Sequence, residues 1–208
     1  MEICVRYCAY FDCHAHFIPQ VLENFVRFVH HDHIRVRTRS WYLFHRFVKH
    51  VRAHIGNLAQ TVIEAISDLL LIKAELPGES STEDDMSSDE SDHSTDAVFN
   101  SQLFLFEAVG CISSTPTIPV ERQLLYARSI TDPLILDMEN QLEHAKSKDE
   151  RAVLQIHHDI MAIGTLARGF SEWTPGSTSS QSHAPAKAVS DEFSRVAEAI
   201  IVSLESLK

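Results

Sequence analysis

Between His30 and His54 the sequence HHDHIRVRTRSWYLFHRFVKHVRAH gathers the side chains best suited to hold an anion. At about 100° per residue, Arg35, Arg39, Tyr42, Arg46, Lys49 and His50 share one arc of a helix, with Arg52 beside them. Val36, Leu43, Phe44, Phe47, Val48 and Val51 fall on the other arc, which can pack. Cations spread along one exposed face neutralise phosphates without reading bases, which is how a folded RNA is recognised by backbone and shape. The competing reading is a solvated face, or one paired with acids on the adjoining repeat or the nearby acidic loop. Arg37 turns toward the apolar arc, where an unpaired guanidinium is expensive. Val36-Arg37 therefore predicts an arginine that feeds a polar ladder between stacked helical hairpins.

Two other clusters carry ligand or acid–base side chains. Cys4, Cys8, Cys13, His14 and His16 are zinc-ligand types, but their spacing lacks the repeated ligand pair of a finger, and Cys4 and Cys8 sit in an apolar stretch. They read as small hydrophobes, and no metal is expected. His157, His158 and Asp159 have no nucleophile in a recognisable setting and fit a helix interface with its solvent edge. With no phosphate-binding glycine loop, nucleophile elbow or dinucleotide fingerprint, the expectation is no enzyme activity and no cofactor.

The formal net charge of the 208 residues is -11, which argues against nucleic acid if taken as an average. Most of the excess lies in one run, where Glu79, Glu83, Asp84, Asp85, Asp89, Glu90, Asp92 and Asp96 occur without a Lys or Arg. That run is serine-rich and almost free of large apolar residues, so it predicts a disordered acidic loop. Ser87, Ser88 and Ser91 beside the acids are candidates for phosphorylation, and a solubilising insertion is the simpler reading. Four cysteines, no basic-then-apolar leader after Met1 and no apolar run near 20 residues predict a reducing compartment and no membrane insertion.

Helical periodicity recurs, alternating strand patterns are scarce, and only six glycines punctuate the chain, so the fold class is all-α. Pro19 suits a first turn, Gly56 a left-handed stop, and Asn57 a cap for a helix through LAQTVIEAISDLLLI. Thr131-Asp132-Pro133 marks a kink or restart, and Asp149 opens a further helix. Helix pairs of about 40 residues match antiparallel HEAT-type hairpins stacked as a solenoid arc. The organisation is then 1–76, helical repeats with the basic helix; 77–97, the acidic loop; 98–172, further repeats; 173–187, a Ser/Pro-rich loop; and 188–208, a terminal amphipathic helix.

The stretch VLENFVRFVHHDHIRVRTRSWYLFHRFVKHVRAHIGNLAQTVIEAISDLLLIKAELP resembles the middle of exportin-T, in the importin-β (karyopherin) superfamily. The likeness resumes in NSQLFLFEAVGCISS and ERQLLYARSITDPLILDMENQL and continues more weakly through 149–171. Family members are solenoids several times longer, so the resemblance is to an internal segment. It implies part of a RanGTP-dependent export receptor that binds tRNA, meets nuclear pore proteins and shuttles between nucleus and cytoplasm. The alternatives are a HEAT-type protein-interaction scaffold without RNA binding and a truncated fragment without transport function. Changing Arg35, Arg39 and Arg46 to Glu separates the RNA-binding reading from the scaffold.

Overall fold

The computed structural model describes residues 1–76, 95–171 and 186–207. Ser87, Ser88 and Ser91 and nearly all of both expected loops lie outside the described residues. Nine α-helices are described: α1 (Glu2–Arg6), α2 (Tyr10–Cys13), α3 (Ile18–Val29), α4 (Ile34–Val51), α5 (Ala59–Ala65), α6 (Thr95–Ser113), α7 (Val120–Lys146), α8 (Glu150–Phe170) and α9 (Lys187–Glu205). The described residues contain no strand, and the fold is all-α as the sequence predicts.

Local chemistry accounts for most of the boundaries. Pro19 sits in the first turn of α3, where its missing N–H leaves no helix bond unmade. The His33 side chain accepts from the Arg35 backbone N–H and caps α4. Asp149 caps α8 by accepting from the N–H groups of Arg151 and Ala152, and Lys148 just before it takes the left-handed conformation at φ 64°. α7 runs unbroken through Pro133, so the expected kink or restart leaves the helix continuous.

Packing follows a two-row order. α3 pairs with α4 and α7 with α8, each across a short joint, while α4 packs on α6 and α6 on α8. Contacts along the second row rise together in sequence. Tyr42 meets Phe104, His45 meets Glu107 and Arg52 meets Ser114; Phe99 meets His158 and Gly110 meets Gly169. Helices whose contacts advance in the same sense run parallel, so α4, α6 and α8 stack as equivalent members of successive hairpins. On the other side α3 packs against α5, and α7 against α9.

The apolar arc of α4 fills the first hairpin. Phe44, Phe47, Val48 and Val51 are fully buried, and Phe47 stacks on Phe25 of α3 at 4.9 Å and meets Phe11 edge-on at 5.2 Å. Trp41, also buried, donates its indole N–H to the Val29 carbonyl at the end of α3 (3.0 Å). Val36, expected on this arc, is 36% exposed, because it lies in the first turn, ahead of the aromatic layer.

Three expectations in the joint after α4 need correction. α4 ends at Val51 and passes through a short 3-10 turn, and Gly56 does not adopt the left-handed conformation. A Cβ there would collide with the Thr117 hydroxyl, so a side chain at 56 would require Thr117 to shift. Asn57 makes no capping bond; Leu58 stands at the N-cap of α5. The helix expected through residue 72 stops at Ala65, continues as a 3-10 turn over Ser67–Leu70 and becomes extended at Leu71. Distant side chains satisfy that extended backbone. Gln102 of α6 donates to the carbonyls of Leu69 and Leu71 (2.7 and 2.9 Å), and Gln155 of α8 accepts from Ala74 N–H (2.7 Å) and donates to Ile72 O (3.2 Å). Amide partners supplied by α6 and α8 replace the helical bonds a longer α5 would have made.

α6 and α8 cross with their backbones in contact. A Cβ on Gly110 would meet the Leu166 carbonyl and lie 2.8 Å from Gly169 Cα, and a Cβ on Gly169 would meet the Glu107 carbonyl. Thr95 and Asp96, counted with the acidic loop above, open α6. At the far end α9 buries Val189, Val196 and Ile200 against its neighbours, while Ile201, expected in its apolar set, is 57% exposed.

Candidate nucleic-acid interface

On α4 the cationic stripe is built around Tyr42. The guanidinium of Arg39 lies 5.3 Å from the Tyr42 ring centroid and that of Arg46 lies 5.8 Å away, and Arg46 also donates to the Tyr42 hydroxyl (2.9 Å). The ring is steadied from α6 by an edge contact with Phe104 at 5.2 Å. Stacking on an aromatic face restricts both guanidiniums without neutralising them.

The five candidates differ in how much of their charge is left for an anion. Arg39 is bound through Nη2 and Nε to Glu2 of α1 (2.8 and 3.2 Å), and this pairing holds the Glu2 carboxyl below its usual range. Both partners are more than half exposed, so the pair opens at little cost. Arg35 is exposed in the first turn. Arg46 and Lys49 are exposed, and among the described residues neither has a carboxylate within ion-pair distance. Arg52 lies outside α4 in the 3-10 turn, half-buried, with Nη2 bonded to the carbonyl and the hydroxyl of Ser114 (2.8 and 2.9 Å). It therefore ties the end of α4 to the end of α6. Arg52→Ala is expected to lower unfolding free energy by about 1.5–3 kcal/mol, read from the urea midpoint, because it leaves a buried carbonyl without its charged donor.

Arg37 is half-buried and bonds to the carbonyls of His31 and Asp32 (3.3 and 3.4 Å) with its guanidinium 6.0 Å from the Trp41 ring. These partners belong to its own hairpin's turn, so the bonds observed are within one hairpin and not a ladder to the next. The joint is short enough for the side chain to fold back on it, which the periodicity of α4 alone does not reveal.

The stripe does not end with α4. Glu107 of α6, largely buried, faces His45 Nε2 at 3.4 Å, and this contact, with Lys49 and Arg168 further off, holds its carboxyl below the usual range. Arg168, in the last turn of α8, is exposed, and its guanidinium donates to the Thr165 hydroxyl (3.4 Å). No pattern in the sequence around 168 marks this residue, because only the register of α4, α6 and α8 brings it within the field of Glu107, as it does Lys49.

The remaining clusters have structural settings. Cys4 and Cys8 are half-buried against the core, Cys13 is exposed, His14 stacks on Tyr10 at 4.0 Å and His16 lies against Phe17. Among the described residues no group of three His, Cys, Asp or Glu could hold a metal ion. His157 is exposed, while His158 is buried flat against Phe99 (3.6 Å), and burial pushes its imidazole below its usual pKa. Asp159 is fully buried, with its carboxyl pushed up to about 8 by burial and by nearby Asp137. No described helix is long and apolar enough to cross a membrane.

Comparison with known proteins gives this surface a context. The family described as Exportin-T matches residues 1–208. The chain is 62% identical over 208 residues to Exportin-T of Aspergillus niger and of Emericella nidulans, and 59% identical over 209 residues to that of Botryotinia fuckeliana. In each case all of this chain is covered and 20% of the relative, so the chain spans about a fifth of the length of these proteins. Family match and identity agree along the whole sequence, and the chain belongs to the exportin-T family.

Proposed function

We propose that this chain is an arc of a RanGTP-dependent nuclear export receptor for tRNA and that α4 contributes phosphate contacts to the cargo surface. The observation that carries the reading is the exposed basic face of α4, ordered by Tyr42, in a chain of the exportin-T family. Its action is binding and involves no catalysis: cations meet tRNA phosphates, and RanGTP is held through the longer receptor that such a segment belongs to. That receptor shuttles between nucleus and cytoplasm through contacts with nuclear pore proteins. The apolar side chains left exposed at Ile3 of α1, at Tyr7 just after it, and at Ile201 and Val202 of α9 suit stacking of further hairpins on either side.

The test is binding of the purified chain to folded tRNA across a salt series, with an unstructured RNA of equal length as control. Salt-sensitive binding that prefers the folded RNA is expected, because shape recognition requires both charge and a fixed backbone path. Changing Arg35, Arg39 and Arg46 together to Glu should flatten the slope of log affinity against log salt by about 3 and abolish binding at physiological salt. Unchanged binding by the triple variant would remove α4 from the cargo surface. In that case a protein-interaction arc without RNA contact becomes the better description.

A further inference from the structure

Arg46 and Lys49 project from α4 at three-residue spacing, and Arg168 projects from α8 at the same level of the stack. The level is fixed by three independent contacts. His45 meets Glu107, the Glu107 carbonyl abuts the Gly169 position, and Gly110 abuts Leu166. α6 separates the two cationic groups, and Glu107 stands between them. We propose that Arg168, together with Arg46 and Lys49, forms a track across α4, α6 and α8 that holds successive phosphates of one RNA backbone. The inference rests on the RNA-binding reading given above and extends it to a residue on another helix.

The geometry distinguishes this track from two simpler uses of the same cations. All three are exposed, and none has a carboxylate within ion-pair distance among the described residues, in contrast to Arg39 with Glu2 and Arg128 and Arg195 with Glu192. Arg168 and Lys49 therefore do not serve as glue for Glu107, although their fields reach it. Helices pack about 8–10 Å apart, so cations on α4 and α8 stand about two such steps apart at the backbone. That separation is too wide for a clamp on a single phosphate. It suits a chain of phosphates crossing the stack, with the one partly buried carboxylate of Glu107 setting a gap between the two contact points.

The experiment measures tRNA affinity against salt for the full chain carrying Arg168→Glu, Arg168→Gln, Arg46→Glu or Glu107→Gln, with urea midpoints recorded for each. Arg168 also faces the C-terminal end of α8, where a cation is favoured, so the Gln variant guards against a fold effect of the charge reversal. The track requires that Arg168→Gln flatten the salt slope by about 1 with its midpoint unchanged, and that Glu107→Gln tighten binding by roughly threefold. Parental binding by both Arg168 variants, alongside weakened binding by Arg46→Glu, would overturn the track and leave the α4 contacts standing. If Arg46→Glu also binds as the parent does, the RNA reading itself fails. Displacement of tRNA by poly-glutamate at equal charge concentration would assign the surface to acidic polypeptides and overturn the RNA track.

Discussion

Replacing Gly110 with leucine should abolish the cooperative packing of α6 on α8 and destabilise the chain by more than about 3 kcal/mol, seen as a lower urea midpoint and a shallower transition. Cβ atoms at Gly110 and Gly169 would run into backbone atoms, the carbonyls of Leu166 and Glu107, with no flexible side chain to yield. The helices must then separate, and the loss spreads to what the crossing holds in register. Leu105, Phe106 and Ile112 on α6 and Leu166 and Phe170 on α8 are all buried at or near zero exposure. Dispersion contacts fall off steeply once packed surfaces part. Alanine at either position provides the graded case. It gains about 1 kcal/mol of helix propensity but still needs the backbones to shift, so a net loss of about 1–2 kcal/mol is expected. Gly164, on α8 with Gly169 but with open space around its Cβ position, is the control. Gly164→Ala should be neutral or stabilising, and equal losses at 110 and 164 would refute the crossing as the cause.

The same crossing shows where sequence reasoning reaches and where it stops. The apolar arc of α4 from Leu43 to Val51, the first-turn Pro19 and the cap at Asp149 are legible because each is decided within a few residues by helix geometry or a single hydrogen bond. Gly110 reads only as a weak point in an apolar helix, since its reason for being glycine lies in α8. The helix expected through residue 72 fails for a similar cause: Gln102 and Gln155 offer the chain an extended alternative from 33 and 81 residues away. In the candidate interface the arc of cations was visible. The partners that divide it, Glu2 for Arg39 and Ser114 for Arg52, were not. Arg168 escapes sequence reasoning because one arginine in a final turn satisfies a helix dipole and needs no other explanation until the register of three helices sets it across Glu107 from Lys49. Composition misled only through averaging, for the net charge of -11 is carried largely by a run that leaves α4 basic.

Asp159 should draw stability away as pH rises from about 4 to about 8, and Asp159→Asn should remove that contribution. Asp159 is fully buried on α8, its Oδ2 has no hydrogen-bond partner among the described residues, and burial with the nearby charge of Asp137 raises its carboxyl from 3.8 to about 8. In the unfolded chain the group loses its proton near 3.8; in the folded chain it keeps it until about 8. The native state therefore binds the extra proton across that window, and each unit of pH draws stability away until the folded group ionises. A shift of this size corresponds to an effect on the order of 5 kcal/mol if nothing relaxes, and water entry beside Asp137 would reduce it. Asparagine retains an oxygen for the Gln155 amide, which donates to Asp159 Oδ1 at 3.3 Å, and cannot ionise. The variant should match the parent near pH 4 and exceed it by a few kcal/mol at pH 9, measured by urea unfolding at both values. Other titrations are common to the two proteins and cancel in the difference between them; at His30 burial is outweighed by the Val26 carbonyl and Asp68, which hold the imidazole above its usual value, so it too loses stability as pH rises. His158, kept neutral by burial, and Glu192, held near 2 by Arg128 and Arg195, act in the opposite sense: the first costs stability as pH falls below the imidazole's ordinary value, the second as pH falls below the ordinary carboxylate range. Local opening should precede the global effect. Gln155 also bonds Asp137, Ile72 and Ala74, so charging Asp159 strains the amide that fastens the extended segment to α8. Hydrogen exchange at the Ala74 amide should rise between pH 7 and 9 in the parent beyond the intrinsic pH dependence, and not in Asp159→Asn. Identical exchange in the two proteins would mean that Asp159 ionises without disturbing Gln155.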